Sequence, residues 1–178
     1  MKFVYGCLAL FAFLIYSMLF GESEVSDVEL ARFALDELPV LVEENAQVLA
    51  EYDPQVSSDG GGALRIEAEG PTLIDLATVE GAGENRSFRQ LLYQAKLRTE
   101  DVTGPVFLVM QAGIAEVPMP VIGIDTALTG TNDWTPIETY AGNPQDTYHK
   151  ATTTLQLEIR GSGTVWVDDL RLVSRRHL

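Results

Sequence analysis

Residues on which many enzymes depend are few in this sequence. Its 178 residues include one cysteine and two histidines. Cys7 lies in an apolar N-terminal run, so the rest of the chain forms no disulfide and supplies no thiolate for metal binding or nucleophilic attack. His149 and His177 are too few for a zinc-hydrolase site, and no G-x-S-x-G turn is present to support a serine nucleophile. We therefore predict that the protein is not an enzyme.

Positive charge is scarce as well. The sequence has 12 Lys and Arg against 26 Asp and Glu, and its formal net charge is -14 at pH 7. Nucleic acids and anionic lipid surfaces are bound by clustered basic residues, so neither is an expected partner. Gly60-Gly61-Gly62 leads into an alternating strand pattern instead of a helix, which argues against a phosphate-binding loop. The sequence thus predicts no nucleic-acid partner and no nucleotide cofactor.

The longest apolar run, Phe3–Gly21, lies between Lys2 and Glu22. Its 19 residues would span roughly 28 Å as a helix, close to the apolar thickness of a bilayer. No A-x-A pattern precedes Glu22, which favours a retained signal anchor over residues 1–21, with a cleaved signal peptide as the alternative.

The charges around this run predict its orientation. Lys2 precedes it, whereas residues 22–30 include several acids and no base. By the positive-inside rule, the N-terminus lies in the cytoplasm and the rest of the chain outside. An exported domain without disulfides fits a bacterial periplasm. We expect a single-pass protein of the cytoplasmic membrane, anchored through residues 3–21, or a secreted protein if the segment is cleaved.

The remainder of the chain divides into three predicted parts: an acidic linker over 22–30, a folded domain over 31–174 and a basic tail over 175–178. Near the start, Ser26-Asp27-Val28-Glu29 has the form of a capping box, which predicts a helix over 27–38. A first strand over Ala31–Leu35 is the alternative, and local signals favour neither.

From about residue 52 onwards, the pattern is typical of short strands separated by turns. Leu64, Ile66 and Ala68 alternate with charged residues, as in a strand with one buried face. Glu100–Pro105 reads as a turn between two strands. Further strands are predicted at 88–98, 106–114, 134–140, 153–160 and 164–173. Many short strands at this spacing predict an all-β fold, an antiparallel β-sandwich.

Polar residues that alternate with apolar ones on these strands are expected on the outer faces of the sandwich. They are candidates for a contact surface with a partner: Gln94, Arg98, Gln156, Glu158 and Arg160.

Several segments together resemble the strands of a galactose-binding-like jelly roll, the fold of many carbohydrate-binding modules. They are Ser57–Gly60 leading into Ala63–Ile66, then Tyr93–Thr103, Leu128–Thr135 and Gly161–Leu172. The resemblance covers about residues 31–174 and implies a jelly-roll β-sandwich. Domains of this shape serve many roles, so the ligand does not follow from the fold.

Members of this family that bind sugars display aromatic side chains on a concave face or at loop tips. Here Trp134 and Trp166 occupy positions that the family normally buries, and Tyr93 shares a face with apolar neighbours. The sequence therefore favours a protein partner over a glycan. We expect a non-catalytic, membrane-tethered interaction module, an accessory subunit of an envelope complex. The alternatives are a carbohydrate-binding protein of the envelope and a small glycan-processing enzyme that uses some of the many carboxylates.

Asp168 interrupts the apolar closing strand. Simple alternation places it on one face with Trp166, Leu170 and Leu172, towards the core, where a charge is costly unless it is paired or bound to a metal. The resemblance implies a structural calcium with an acid of the closing strand as a ligand. Its companions among the residues of this chain are Asp59 and Asp36. The alternative is a carboxylate that accepts backbone N–H groups.

Overall fold

The computed structural model describes residues 25–33, 48–80, 90–113, 119–123, 126–142 and 152–177. Within these ranges the chain forms strands without an α-helix, and every strand pairing is antiparallel. The all-β prediction is confirmed. The strands are β1 (Val25–Arg32), β2 (Val48–Asp53), β3 (Ala63–Ala68), β4 (Thr72–Val79), β5 (Gln90–Gly113), β6 (Met119–Ile122), β7 (Leu128–Gly142), β8 (Thr152–Ile159) and β9 (Gly163–His177).

Strand β5 belongs to both layers of the sandwich. Its residues 90–100 pair with β9 on one side and β7 on the other. β9 pairs in turn with β3 and β1, and β3 pairs with β2, which completes the main sheet. Residues 106–113 of β5 pair instead with β8 and β6, and β8 pairs with β4, which completes the second sheet. The chain thus folds one continuous sheet onto itself.

The core lies between these two layers and forms a single apolar cluster. The main sheet contributes branched side chains that alternate along each strand, among them Leu64, Ile66, Leu97 and Val165. The second sheet contributes a matching set that includes Leu76, Leu108, Met110, Leu155, Leu157 and Ile159. Burial of apolar side chains on this scale is the main stabilising contribution to the fold.

The turn predicted over residues 100–105 is wrong, because β5 continues through it. The backbone there keeps its partners: Thr103 N–H donates to the Ser162 carbonyl at 2.9 Å, and the Pro105 carbonyl accepts from Arg160 N–H at 3.0 Å. A Cβ at Gly104 would collide with the Arg160 carbonyl group, so only glycine permits this approach. The segment bends the strand from one sheet into the other instead of reversing it.

The helix predicted from residue 27 is also wrong over residues 27–32, where the chain forms β1. Its backbone pairs with the last part of β9, from Val25 opposite His177 to Arg32 opposite Arg171. Arg175 joins the two strands through a bidentate ion pair with Asp27, at 2.8 Å for each bond. The sheet therefore includes residues that were assigned to the linker and to the tail. Residues 34–38 lie outside the described ranges.

The predicted anchor, residues 1–21, also lies outside the described ranges. In the part of the chain that the structure covers, no helix has the length and apolarity needed to cross a bilayer.

Candidate functional site

The outer face of the main sheet, which is turned away from the core, carries rows of polar and aromatic side chains. One row crosses four strands: Glu51 on β2, Arg65 on β3, Trp166 on β9 and Arg98 on β5 are consecutive cross-strand partners. Alternation along each strand produces these rows, because every second residue faces the core and the residues between face outwards.

Further along the same face, a groove with a volume of about 290 Å³ lies between β5, β7 and β9. The residues that line it are Gln94, Ala95, Lys96, Pro136, Ile137, Glu138, Asp169 and Arg171. Five of these carry hydrogen-bonding or charged side chains. The groove is therefore a polar site built from three strands that are far apart in sequence.

A β-bulge brings Asp169 to this groove. Asp169 has a φ of 50°, in the left-handed region that non-glycine residues rarely adopt, and the β5–β9 register shifts beside it. Val165 and Val167 contact the core before the bulge, whereas Leu170 and Leu172 do so after it. Asp168 therefore shares the outer face with Trp166 and not with Leu170 and Leu172. The prediction that Asp168 points towards the core is wrong, because simple alternation does not continue through a bulge.

Both carboxylates in the groove already hold partners. Glu138 accepts a hydrogen bond from Gln94 Nε2 at 2.9 Å. Asp169 forms an ion pair with Arg32, which reaches across from β1. Arg171 is placed differently: its Nη2 lies 3.9 Å from Asp169 Oδ2, beyond hydrogen-bond distance, and its buried Nε has no hydrogen-bond partner in the described part of the chain.

Asp168 fixes the neighbouring loop to the sheet. It is 2% exposed, and it accepts the backbone N–H of Ser58 and that of Asp169, each at 2.7 Å. Lys96 lies opposite Asp168 on β5 and donates to the hydroxyl of Ser58 at 3.2 Å. Asp168 is therefore a carboxylate that accepts backbone N–H groups, which is the alternative to the calcium site.

The other proposed calcium ligands are not assembled around Asp168 by the described residues. Asp59 belongs to the same loop, but its carboxylate accepts hydrogen bonds from Gly61 N–H at 2.9 Å and from Ser57 Oγ at 3.0 Å. These hydrogen bonds hold the pKa of Asp59 below its usual range, and the bond from the Gly61 N–H has the largest effect. Asp36 lies outside the described ranges, within which no group of three or more acid, histidine or cysteine side chains is arranged to hold a metal. Calcium takes six to eight oxygens, so the described residues do not by themselves form its site.

Trp166 is held under two guanidinium groups. Arg98 and Arg65 lie over its ring with the Cζ atoms 5.2 and 5.9 Å from the centroid, respectively, and the residue is 6% exposed. Its Nε1 donates to Asp53 Oδ2 at 3.1 Å. The pKa of Asp53 is lowered mainly by the hydrogen bond from the Gln55 backbone N–H and, to a smaller extent, by the one from this indole. The burial expected for Trp166 is thus produced by charged neighbours on the outer face and not by the core.

The remaining aromatic residues differ in exposure. Tyr93 is fully buried in the core, whereas Tyr140 is 59% exposed. Tyr140 lies two residues beyond Glu138 on β7 and therefore on the groove side of the sheet. Trp134 is half-buried on the same strand.

The five polar residues predicted to form a contact surface do not share one face. Gln94 and Arg98 lie on the outer face of the main sheet, but the other three belong to the second sheet and its following turn. Gln156 is buried and donates to Asp75 at 2.6 Å. Arg160 binds Glu158 at 2.7 Å and lies over the ring of Phe107.

Sequence reasoning missed most of the groove. The missed residues are Lys96, Glu138, Asp169 and Arg171. Alternation along β5 was a usable signal for Lys96, since it lies between Gln94 and Arg98 in the outward series. No comparable signal existed for Asp169, because its position depends on the bulge. His149, the histidine weighed for catalysis, lies outside the described residues.

Several solved structures with a similar fold are or contain carbohydrate-binding modules, whereas the sequence matches no family model and no curated protein. The CBM22-1–GH10 modules of Clostridium thermocellum xylanase 10B, in complex with xylohexaose, superpose with a TM-score of 0.59 at 10% identity, over 84% of this chain and 29% of that one. The CBM22-1 xylan-binding domain of Paenibacillus barcinonensis Xyn10C gives 0.56 at 8% identity, over 84% and 96%. The family 30 module of C. thermocellum cellulase Cel9D-Cel44B gives 0.54 at 14% identity, over 83% and 96%.

These similarities correct the main functional expectation. The sequence favoured an accessory subunit of a protein complex and a protein partner, whereas these solved structures are or contain carbohydrate-binding modules. The expectation failed because it took exposed aromatic rings as the sign of sugar binding. The polar groove is formed by strands that are distant in sequence, so no sequence pattern indicated it. At these identities the similarity establishes the fold. The chain has the antiparallel, jelly-roll type of β-sandwich found in carbohydrate-binding modules, as its sequence motifs predicted.

Proposed function

We propose that this protein is a non-catalytic carbohydrate-binding protein that binds a glycan on the outer face of its main sheet. The observation that carries the proposal is the groove between β5, β7 and β9, with hydrogen-bonding side chains from Gln94, Lys96, Glu138 and Arg171. Tyr140 is exposed on the same face. The shared fold with glycan-binding modules supports this assignment.

The chemistry of the groove suits a sugar. Sugar rings present hydroxyl groups around their edges and C–H groups on their faces, so they need convergent polar partners and one apolar or aromatic contact. The polar residues supply both donors and acceptors, and Pro136 and Tyr140 supply apolar surface on β7. The volume of about 290 Å³ is at the lower end for ligand sites. It fits a short stretch of glycan laid across an open sheet.

Binding without catalysis is supported by the state of the two carboxylates in the groove. A glycosidase needs one carboxyl group to donate a proton and another to attack the sugar or activate water. Glu138 is held by Gln94, and Asp169 is held by Arg32. Each therefore has a binding or structural role in this proposal.

A location outside the cytoplasm belongs to the same proposal, because a glycan-binding domain needs access to an extracytoplasmic polymer. The support is the uncharged run Phe3–Gly21 between Lys2 and Glu22. Sequencing the N-terminus of the mature protein tests it. Retention of residues 1–21 in the membrane fraction is the expected result, and a mature chain that begins near Glu22 would replace the anchor with a cleaved signal peptide.

Glycan binding is tested with the full chain on a polysaccharide panel by affinity gel electrophoresis and calorimetry. We expect binding that Tyr140→Ala weakens about tenfold, a loss of about 1.4 kcal/mol, because a stacking contact is removed. Leu73→Ala is the matched control: Leu73 is 54% exposed but lies on the second sheet, so its loss should leave affinity unchanged. Absence of binding to every glycan, in protein with an intact melting transition, would refute the proposed function.

A further inference from the structure

Arg171 is the groove residue whose hydrogen-bonding capacity is least used. It lies on β9 opposite Gln94 and lines the groove. Its buried Nε has no hydrogen-bond partner within the described ranges, and its one ion-pair contact there, with Asp169, is 3.9 Å long. This Nε is enclosed by protein, whereas the Arg171 side chain as a whole is 35% exposed, so a ligand in the groove would meet the exposed part of the guanidinium group.

The other arginines show how unusual this is. Four arginines with described side chains each form a close ion pair: Arg32 with Glu29 at 2.8 Å, Arg65 with Glu51 at 2.7 Å, Arg160 with Glu158 at 2.7 Å and Arg175 with Asp27 at 2.8 Å. Arg98 lies over the ring of Trp166. Arg171 therefore lines the groove without a carboxylate of its own at hydrogen-bond distance.

Glu138 and Asp169, the carboxylates in the groove, each have a nearer hydrogen-bond partner than Arg171, which attracts Asp27 and Glu29 at longer range. Gln94 donates to Glu138, and Arg32 neutralises Asp169 from the far side. Lys96 adds a second cation to the groove wall, and its hydrogen bond in the described part is to a neutral hydroxyl, Ser58 Oγ, at 3.2 Å. The groove thus offers a guanidinium and an ammonium group to a ligand.

From this arrangement we infer that the glycan is acidic, and that Arg171 binds the carboxylate of a uronic acid residue with Lys96 as a second positive contact. A guanidinium group can donate two parallel hydrogen bonds to the two oxygens of a carboxylate, and in Arg171 the two Nη groups would donate them because Nε is buried. The net charge of -14 does not oppose this, because exposed charges farther than about 8 Å are largely screened at physiological salt. The inference rests on the proposed function and specifies its ligand class.

The test compares charged polymers with their neutral derivatives on the full chain. The probes are polygalacturonate, alginate and glucuronoxylan, each beside its carboxyl-esterified or carboxyl-reduced form, together with neutral cellulose and xylan. We expect binding to at least one acidic polymer and at least tenfold weaker binding to its neutral derivative. Binding to neutral glycans alone, or equally to both forms, would overturn the inference and leave the proposed function standing. Binding to none of the polymers would overturn both.

Substitutions test whether Arg171 makes the contact with the ligand carboxylate. Arg171→Gln should lower affinity for the acidic polymer at least tenfold, and Arg171→Lys, which keeps the charge but not the two-pronged edge, should retain part of it. Arg160→Gln is the matched control, since Arg160 lies beyond the second sheet. Lys96→Met, which removes the second cation, provides an independent measurement if Arg171→Gln proves unstable. Unchanged affinity in folded Arg171→Gln, or in folded Lys96→Met where Arg171→Gln does not fold, would contradict the inference.

Discussion

The two halves of β5 have the same strand geometry and opposite surface chemistry. In residues 90–100, the outward series includes Gln94, Lys96 and Arg98, and part of it lines the groove. In residues 106–113, the outward residues Phe107 and Val109 are buried, and Arg160 lies over the Phe107 ring with its Cζ 4.7 Å from the centroid. One strand thus contributes an open polar surface to the main sheet and an apolar, covered surface to the second sheet.

This contrast indicates which face is available to a ligand. Alternating polarity leaves one side of the main sheet free to contact solvent, whereas side chains that are apolar on both sides of a strand are typical of a sheet covered on both faces. The second half of β5 contributes to stability on both of its faces, whereas the first half has one face in the core and one polar face on the outside of the sheet.

Paired substitutions at outward positions of β5 provide the strongest test of this contrast. Phe107→Ala should lower the free energy of unfolding by about 3–5 kcal/mol, since it empties a buried aromatic position. Gln94→Ala should cost less than about 1 kcal/mol, because it removes one partly exposed hydrogen bond. Chemical denaturation of both variants measures the difference. Equal costs would mean that the two halves do not differ as described.

Metal removal tests the loop beside the main sheet. If Asp168 and Asp59 bind calcium, as predicted from the family resemblance, chelation lowers the melting temperature because calcium binds only the folded state. At a free concentration about 100 times the Kd, the stabilisation is about 2.7 kcal/mol. An unchanged melting curve in protein shown to be metal-free would leave Asp168 with the role the structure describes, an acceptor for the N–H groups of Ser58 and Asp169.

A smaller effect is expected on the inner side of the first half of β5. The hydroxyl of Tyr93 is buried and has no partner in the described ranges, and burial raises the pKa of the phenol far above its usual value. Tyr93→Phe should therefore increase the free energy of unfolding by about 1 kcal/mol, because it removes an unsatisfied polar group. Thermal and chemical unfolding measure it. Destabilisation would show that the hydroxyl has a partner, and Leu97→Ala is the control for loss of core volume at a neighbouring position.

The smallest effect concerns the strand that flanks the main sheet. The hydrogen bonds from Arg175 lower the pKa of Asp27 below its usual value. Its stabilising contribution is therefore complete above about pH 3.9 and is lost as the pH falls through the lowered folded-state value. Because the pair is exposed, the contribution is a few tenths of a kcal/mol. Asp27→Asn should remove it at pH 7, and the difference from the wild type should shrink as the pH falls below about 3.9; a difference that does not change with pH would rule out the ion pair as the cause.

The strands and their faces were predictable where each residue is governed by its immediate neighbours. Leu64, Ile66 and Ala68 alternate because one face of β3 meets the core and the other meets solvent. The continuity of β5 was not predictable. Glycine and proline at 104–105 locally indicate a turn, whereas the bend is maintained by hydrogen bonds to residues about 60 positions later, such as Ser162.

The candidate site was less predictable than the fold for a similar reason. The groove combines Lys96, Glu138 and Arg171, which meet only when β5 lies between β7 and β9. The position of Asp169 depends on a left-handed backbone conformation that no alternating pattern reveals. Pairing between distant strands and local bulges arise from tertiary structure, so a single sequence carries little signal for either.

The position of β9 in the main sheet has a consequence for how the protein folds as it is made. This strand comes last of the nine described strands and pairs with β1, β3 and β5. The ribosome therefore releases the central strand after its neighbours, and until then β1 and β3 lack the partner that joins them to β5. Such long-range pairing slows folding. The main sheet therefore cannot be completed until β9 has been made, whatever pairing the earlier strands form before it.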